Sequence, residues 1–206
     1  AFIIIGTICA ILVAILMSEL GERFSVKIFQ SSLLLPNLLS WVVIGFIGYA
    51  FLNSDTGFIN KTVIRLLGGE EVAWYTTTKP WPVILIIVYL WKNVGYSSIV
   101  YMASIAGIDK SIFEAAKIDG AKKLEQIRYI TIPMLKPTVV ILTLMAIGRI
   151  FYSDFGLFYQ VPMNSGALYN VTQTIDTYVY HGLMELQDVG MSAAAALYQS
   201  VIGFIL

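Results

Sequence analysis

The sequence predicts an all-α, polytopic transmembrane bundle, and three observations carry that expectation. Of 206 residues, 58% are hydrophobic and only 13% are charged, with a mean hydropathy of +0.78. An ordinary soluble domain carries about a quarter charged residues, so this chain has half the usual means of solvating its outside. The apolar residues gather into five long runs, and the basic residues cluster between particular pairs of those runs. Thirteen basic and thirteen acidic residues cancel, so no global field draws the chain toward nucleic acid.

A helix rising 1.5 Å per residue needs about 20 apolar residues to cross a hydrocarbon core of roughly 30 Å. The runs that qualify or come close are 2–17, 33–52, 81–106, 138–152 and 189–206, together read as one transmembrane domain over 1–206. With no charged leader before the first run and no polar tail after Leu206, both ends read as cut off. Between the runs, 19–32 holds Arg23 and Lys27, and 53–80 holds Lys61, Arg65 and Lys79. Residues 107–137 hold Lys110, Lys117, Lys122, Lys123, Arg128 and Lys136, whereas 153–187 hold no Lys or Arg. Alternate loops share a side, so the positive-inside rule places 19–32 and 107–137 in the cytoplasm and 53–80 and 153–187 outside. Trp74, Tyr75 and Trp81, and later Phe151, Tyr152, Phe155, Phe158 and Tyr159, read as aromatic belts at the outer ends of the third and fourth spans.

Segment 107–137 carries the most information. Gly107 ends one helix, Asp109 or Ser111 can cap the next, and Ser111 to Glu114 has the spacing of a capping box. Gly120 permits a turn that a β-carbon would forbid. A second helix comes next, with Leu124, Ile127, Tyr129 and Ile130 as its apolar face. Pro133 and Pro137 then bend the path into the fourth span.

The run Glu114-Ala115-Ala116, then Asp119-Gly120-Ala121, then Ile130-Thr131-Ile132-Pro133 resembles the EAA loop of permease subunits of bacterial binding-protein-dependent ABC importers. Ile132 stands where that family commonly has Leu, a conservative departure. The stretches 40–53, 91–98, 154–162 and 174–180 are similar to the carbohydrate branch, the LplB-like polysaccharide or oligosaccharide permeases. The resemblance implies the fold of a type I ABC importer permease, with a sixth, amino-terminal span before residue 1. It implies that Glu114, Ala115, Ala116, Asp119, Gly120 and Ala121 form a coupling helix and turn seated in a cleft of a cytoplasmic ATPase. Residues 156–170, with Gly156, Tyr159, Gln160 and Asn164, would meet an external sugar-binding protein. The implied partners are a second permease subunit in a heterodimer, two ATPase subunits carrying ATP and Mg, the binding protein and membrane lipid, all at the bacterial cytoplasmic membrane. The implied cargo is an oligosaccharide or polysaccharide fragment, moved by alternating access.

The resemblance implies that Glu114 docks to an ATPase arginine; from the residues alone it can close a capping box or pair with Lys117 or Lys110. An ionised side chain in mid-bilayer faces a partner or a watery path, so Lys92, Asn93 and Tyr96 are candidates for the translocation path. Lys92 has the alternative of bonding backbone carbonyls or a neighbouring subunit. Arg149 can snorkel to the headgroups. The aromatic, hydroxyl and amide residues of 153–187 suit carbohydrate contact or a docking loop. His181, the sole histidine, reads as a surface or interface residue, and Cys9 as a small buried hydrophobe, so no metal site is expected. No G-x-x-x-x-G-K-[ST] phosphate loop is present, so no catalytic residue or resident cofactor is expected on this chain and ATP would be hydrolysed elsewhere. The competing readings are an ABC permease for an amino acid, polyamine or phosphate, a membrane scaffold or sensor, and an ion-coupled secondary transporter using Lys92, Arg149 or Asp154.

Overall fold

The computed structural model describes residues 1–20 and 24–205, without the side chains of 24–27. Arg23, the Lys27 side chain and Leu206, part of the expected second loop and fifth span, lie outside the described residues. The described chain is all-α, as expected. Helices α1 (Phe2–Glu19), α2 (Phe24–Leu38), α3 (Trp41–Leu52) and α4 (Trp81–Ala106) precede the short α5 (Lys110–Ile118) and α6 (Lys123–Gln126). Helices α7 (Ile132–Ile147), α8 (Phe155–Gln160), α9 (Tyr169–Thr172), α10 (Ile175–Met184) and α11 (Val189–Ile205) complete the order. Among the described residues, Phe2–Glu19, Trp81–Ala106 and Lys123–Ile147 are long and apolar enough to cross a membrane. Helix α11 is apolar but has 17 residues.

Several boundaries differ from the sequence expectation. The run 33–52 is two helices rather than one, and the first begins at Phe24, inside the expected loop 19–32. Pro36 removes a backbone donor near the end of α2, and Ser40 starts α3 afresh by accepting the Val43 amide at 3.3 Å. The fourth run begins earlier than 138, because helical structure is continuous from Lys123 through a π-helical segment at Ile127–Thr131 to Ile147. In that segment the Ile132 amide bonds to the Ile127 carbonyl, one residue further back than in an α-helix. The wider turn falls just before Pro133, so the proline sits in the first turn of α7, where its missing amide donor costs no helical hydrogen bond. Residues 148–151 form turns, which leaves Arg149 exposed beyond the helix. Segments 53–80 and 153–187 also hold more structure than loops, with a π-helical Ile59–Ile64 and most of 153–187 helical.

The single domain read over 1–206 divides into two compact units, residues 1–38 with 89–147, and residues 39–88 with 148–206. In the first, Ala10 and Ala14 of α1 pack with Tyr101 of α4 and Leu135 of α7. Two alanines on one face allow close helix approach, which matters where the surroundings are apolar and burial of oil gains little. In the second unit, α10 and α11 form a hairpin, and α3 packs on α8. Trp81, Leu85, Leu157, Val161 and Leu168 are buried there. Trp74 and Trp81 therefore do not form a lipid-facing belt. The buried Asn60 amide accepts from Trp74 Nε1 at 2.9 Å and donates to the Val72 carbonyl at 2.8 Å, while Trp81 Nε1 donates to the Trp74 carbonyl at 2.7 Å. A buried amide that needs partners turns these rings inward.

Candidate functional site

Three groups of expected site residues fall in different places. The first is the helix and turn at 109–126. Asp109 caps α5 by accepting the Ser111 amide at 2.9 Å, and hydrogen bonds from Ser111 hold its carboxyl below the usual carboxylate range. The capping box expected from Ser111 to Glu114 is therefore not the one used. Glu114 is exposed and makes no ion pair or hydrogen bond among the described residues, neither with Lys110 nor with Lys117. The helix stops in a Schellman arrangement, in which the Ala121 amide bonds to the Ala116 carbonyl at 2.8 Å and the Gly120 amide to the Lys117 carbonyl at 3.1 Å. Gly120 holds φ at +83°, which a side chain rarely adopts, and open space surrounds the position a β-carbon would take.

Beyond the turn, α6 is tied both to the turn itself and to α1. The buried Gln126 donates from Nε2 to the Ala121 carbonyl at 3.0 Å, and Glu125 accepts the Lys122 amide at 2.7 Å. Lys123 pairs with Glu19, the last residue of α1, at 2.5 Å. Helical structure runs unbroken from Lys123 to Ile147, so α6 continues into α7, and the Lys123–Glu19 pair ties its start to α1. Of the apolar face expected on the second helix, Leu124 and Tyr129 point outward and stay largely exposed, as does Ile118 at the end of α5. The Arg128 guanidinium lies 5.8 Å from the Tyr129 ring centroid, while Glu114, Ile118 and Leu124 are each exposed.

The second group is on α4. Asn93 and Tyr96 line a cavity of about 220 Å³ together with Tyr89, Ser97, Tyr101 and, from α1, Thr7. Lys92 is not on that wall. It is buried, and its Nζ donates to the Asn37 carbonyl at 3.1 Å and lies 3.5 Å from that of Pro36. Those carbonyls belong to the last turn of α2, where no helical donor remains and a cation is favourable. Gly95 faces the same way, since a β-carbon there would collide with the Leu33 carbonyl. The cavity residues missed from sequence, Tyr89 and Ser97, flank Asn93 at four-residue spacing on an apolar helix. That spacing was the available signal.

The third group is at 153–188. Gly156 packs under the Trp41 ring, and the Gln160 backbone lies against Gly45, so both contact α3 while remaining partly exposed. Asn164 donates to Glu185 at 3.3 Å and accepts from the Tyr169 hydroxyl at 3.0 Å. Tyr159 stacks on Phe155 with ring centroids 4.9 Å apart and meets Tyr180 edge-on. Burial, above all, raises the Tyr159 and Tyr169 hydroxyls above the ordinary tyrosine range. His181 is not a surface residue: it is 8% exposed among Tyr159, Tyr169 and Tyr180, with Nδ1 4.0 Å from Glu185. Among the described residues no cluster of three or more His, Cys, Asp or Glu side chains could hold a metal.

Residues 3–206 match the family described as the binding-protein-dependent transport system inner membrane component, and the chain belongs to it. It is 29% identical over 196 residues to the polygalacturonan/rhamnogalacturonan transport system permease protein YteP of Bacillus subtilis, covering 95% of this chain and 60% of that protein. It is also 29% identical to the arabinooligosaccharides transport system permease protein AraP of Halalkalibacterium halodurans, covering 95% of this chain and 61% of that one. The chain thus spans about 60% of the length of these curated relatives. A solved bacterial alginate ABC transporter, in complex with an alginate pentasaccharide-bound periplasmic protein, superimposes with a TM-score of 0.91 at 27% identity. That match covers 98% of this chain and 69% of the solved one.

Proposed function

We propose that the chain is the permease portion of an ATP-driven importer for oligosaccharides or polysaccharide fragments, in a bacterial cytoplasmic membrane. The observation that carries this reading is the α5 lever. It is short, stopped sharply at Gly120, small-faced at Ala115 and Ala116, and presents an unpaired Glu114 one helical turn from exposed Ile118. An exposed carboxylate next to apolar side chains suits a cleft that offers an arginine and an oily floor. Two ATPase subunits, which bind ATP and Mg, would grip this lever and that of a second permease subunit.

Closure of the ATPase pair on ATP would drive α5, and the continuous helix to Ile147 would carry the displacement into the membrane. The Lys123–Glu19 pair would bring the end of α1 along. An external binding protein would then release its sugar toward the α4 cavity, where hydroxyl and amide groups replace the water the sugar gives up. The family membership and the names of the relatives support this cargo class over a non-sugar solute. An ion-coupled transporter gains no support, because Lys92 is engaged by backbone carbonyls and Arg149 sits in an exposed turn.

The test is ATP-dependent sugar uptake by the co-expressed, reconstituted assembly. Glu114→Lys should abolish uptake at normal membrane abundance, while Glu114→Asp should retain part of it. Undiminished uptake in the lysine variant would remove the lever from the mechanism.

A further inference from the structure

Relatives of this chain are named for acidic sugars, as in polygalacturonan and alginate, and for neutral ones, as in arabinooligosaccharides. The α4 cavity distinguishes the two. Its polar groups are the hydroxyls of Tyr89, Tyr96, Tyr101, Ser97 and Thr7 and the amide of Asn93, and the remaining lining residues are apolar. None of the lining residues is an acid, a lysine, an arginine or a histidine. Asn93 donates from Nδ2 to the Tyr89 carbonyl at 3.1 Å, which holds its carboxamide in place and leaves Oδ1 as an acceptor.

The cation nearest in sequence, Lys92, is one residue away and on another helical face. It is held by the carbonyls of Pro36 and Asn37, and Gly95 lies against the Leu33 backbone on the same side. Turning α4 to bring Lys92 onto the cavity would break both contacts at once. A carboxylate entering here would leave water and find no opposite charge. A neutral ring would exchange water for hydroxyl and amide partners of equal polarity, with tyrosine faces against its C–H edges. The volume, about 220 Å³, is below the roughly 300–1,000 Å³ of sites that hold drug-sized ligands, so the fit is to a ring and not to a chain.

Building on the importer reading, we infer that this subunit selects for uncharged sugar units. Neutral oligosaccharides are its cargo, and uronate-containing ones are refused at the α4 wall. The experiment reconstitutes the whole assembly with its own binding protein and compares uptake of matched pairs, α-1,4-galactotriose against α-1,4-trigalacturonate and xylotriose against its glucuronate-substituted form. Neutral members should be favoured at least about tenfold. Asn93→Arg, with the binding protein unchanged, should move the ratio toward the uronate by a similar factor, and Ser97→Lys serves if that variant does not reach the membrane. Equal uptake of both members of a pair overturns the inference. So does a neutral preference that neither cationic variant moves, since selection would then lie outside this wall. ATP-driven uptake of a non-sugar solute with no sugar transported would overturn the cargo reading itself, and this inference with it.

Discussion

Gly120 offers a perturbation whose cost can be worked out from local geometry. Its φ of +83° lies in the left-handed region, and a β-carbon there meets no atom within 4 Å. Alanine therefore introduces no clash, and its whole effect is backbone strain of about 1–2 kcal/mol. That strain falls on the turn whose two Schellman hydrogen bonds stop α5, so the stopped conformation should lose population by roughly 5–30-fold relative to alternatives. Asparagine tolerates the left-handed region better and should lose less, while β-branched valine should lose most. The residue is exposed, so membrane abundance should stay near normal across the series. The assay is sugar uptake and ATP hydrolysis measured together in reconstituted assemblies. Transport per ATP should fall in the order Gly, Asn, Ala, Val. A valine variant that couples as well as glycine would refute the claim that this turn transmits force.

The Glu19–Lys123 pair is partly exposed, worth about 0.2–1 kcal/mol, and should weaken with salt. Charge reversal at either residue should reduce uptake by a factor of up to about five, and the doubly reversed protein should recover; a double variant no better than the singles would remove α1 from the coupling path. Tyr75 has a buried hydroxyl with no hydrogen-bond partner among the described residues, and burial, reinforced by Tyr49, pushes its pKa from 10.0 up to about 12. Because the folded value is the higher one, the stability it contributes is complete below pH 10 and drains away as the pH rises toward about 12. Absorbance titration at the tyrosinate band should show one late-titrating residue missing from Tyr75→Phe, whose thermal stability should equal or exceed that of the parent because no hydrogen bond is lost.

The α5 helix and its turn were legible because every instruction for them is local. Asp109 caps within two residues, Gly120 turns within one, and Ala115 and Ala116 are small wherever the helix goes. The break in the second apolar run is harder to see in the sequence, although Pro36 and Ser40 announce it, because an unbroken count of apolar residues outweighs them. The 153–187 segment looks like a loop because its short helices bury side chains against α3 and against one another, without the long periodic face that marks a helix in a sequence.

The residues unaided therefore determined the medium and one local shape of this protein: low charge requires an apolar surrounding, and short-range stereochemistry shapes the turn that stops α5. Tertiary structure decided the assignments that depend on distant partners. It gave Lys92 to the carbonyls of α2, put Asn93 and Tyr96 on a neutral cavity, and enclosed His181 among tyrosines. Spacing along a helix says which residues share a face, but the energy of a buried charge or amide depends on what that face meets.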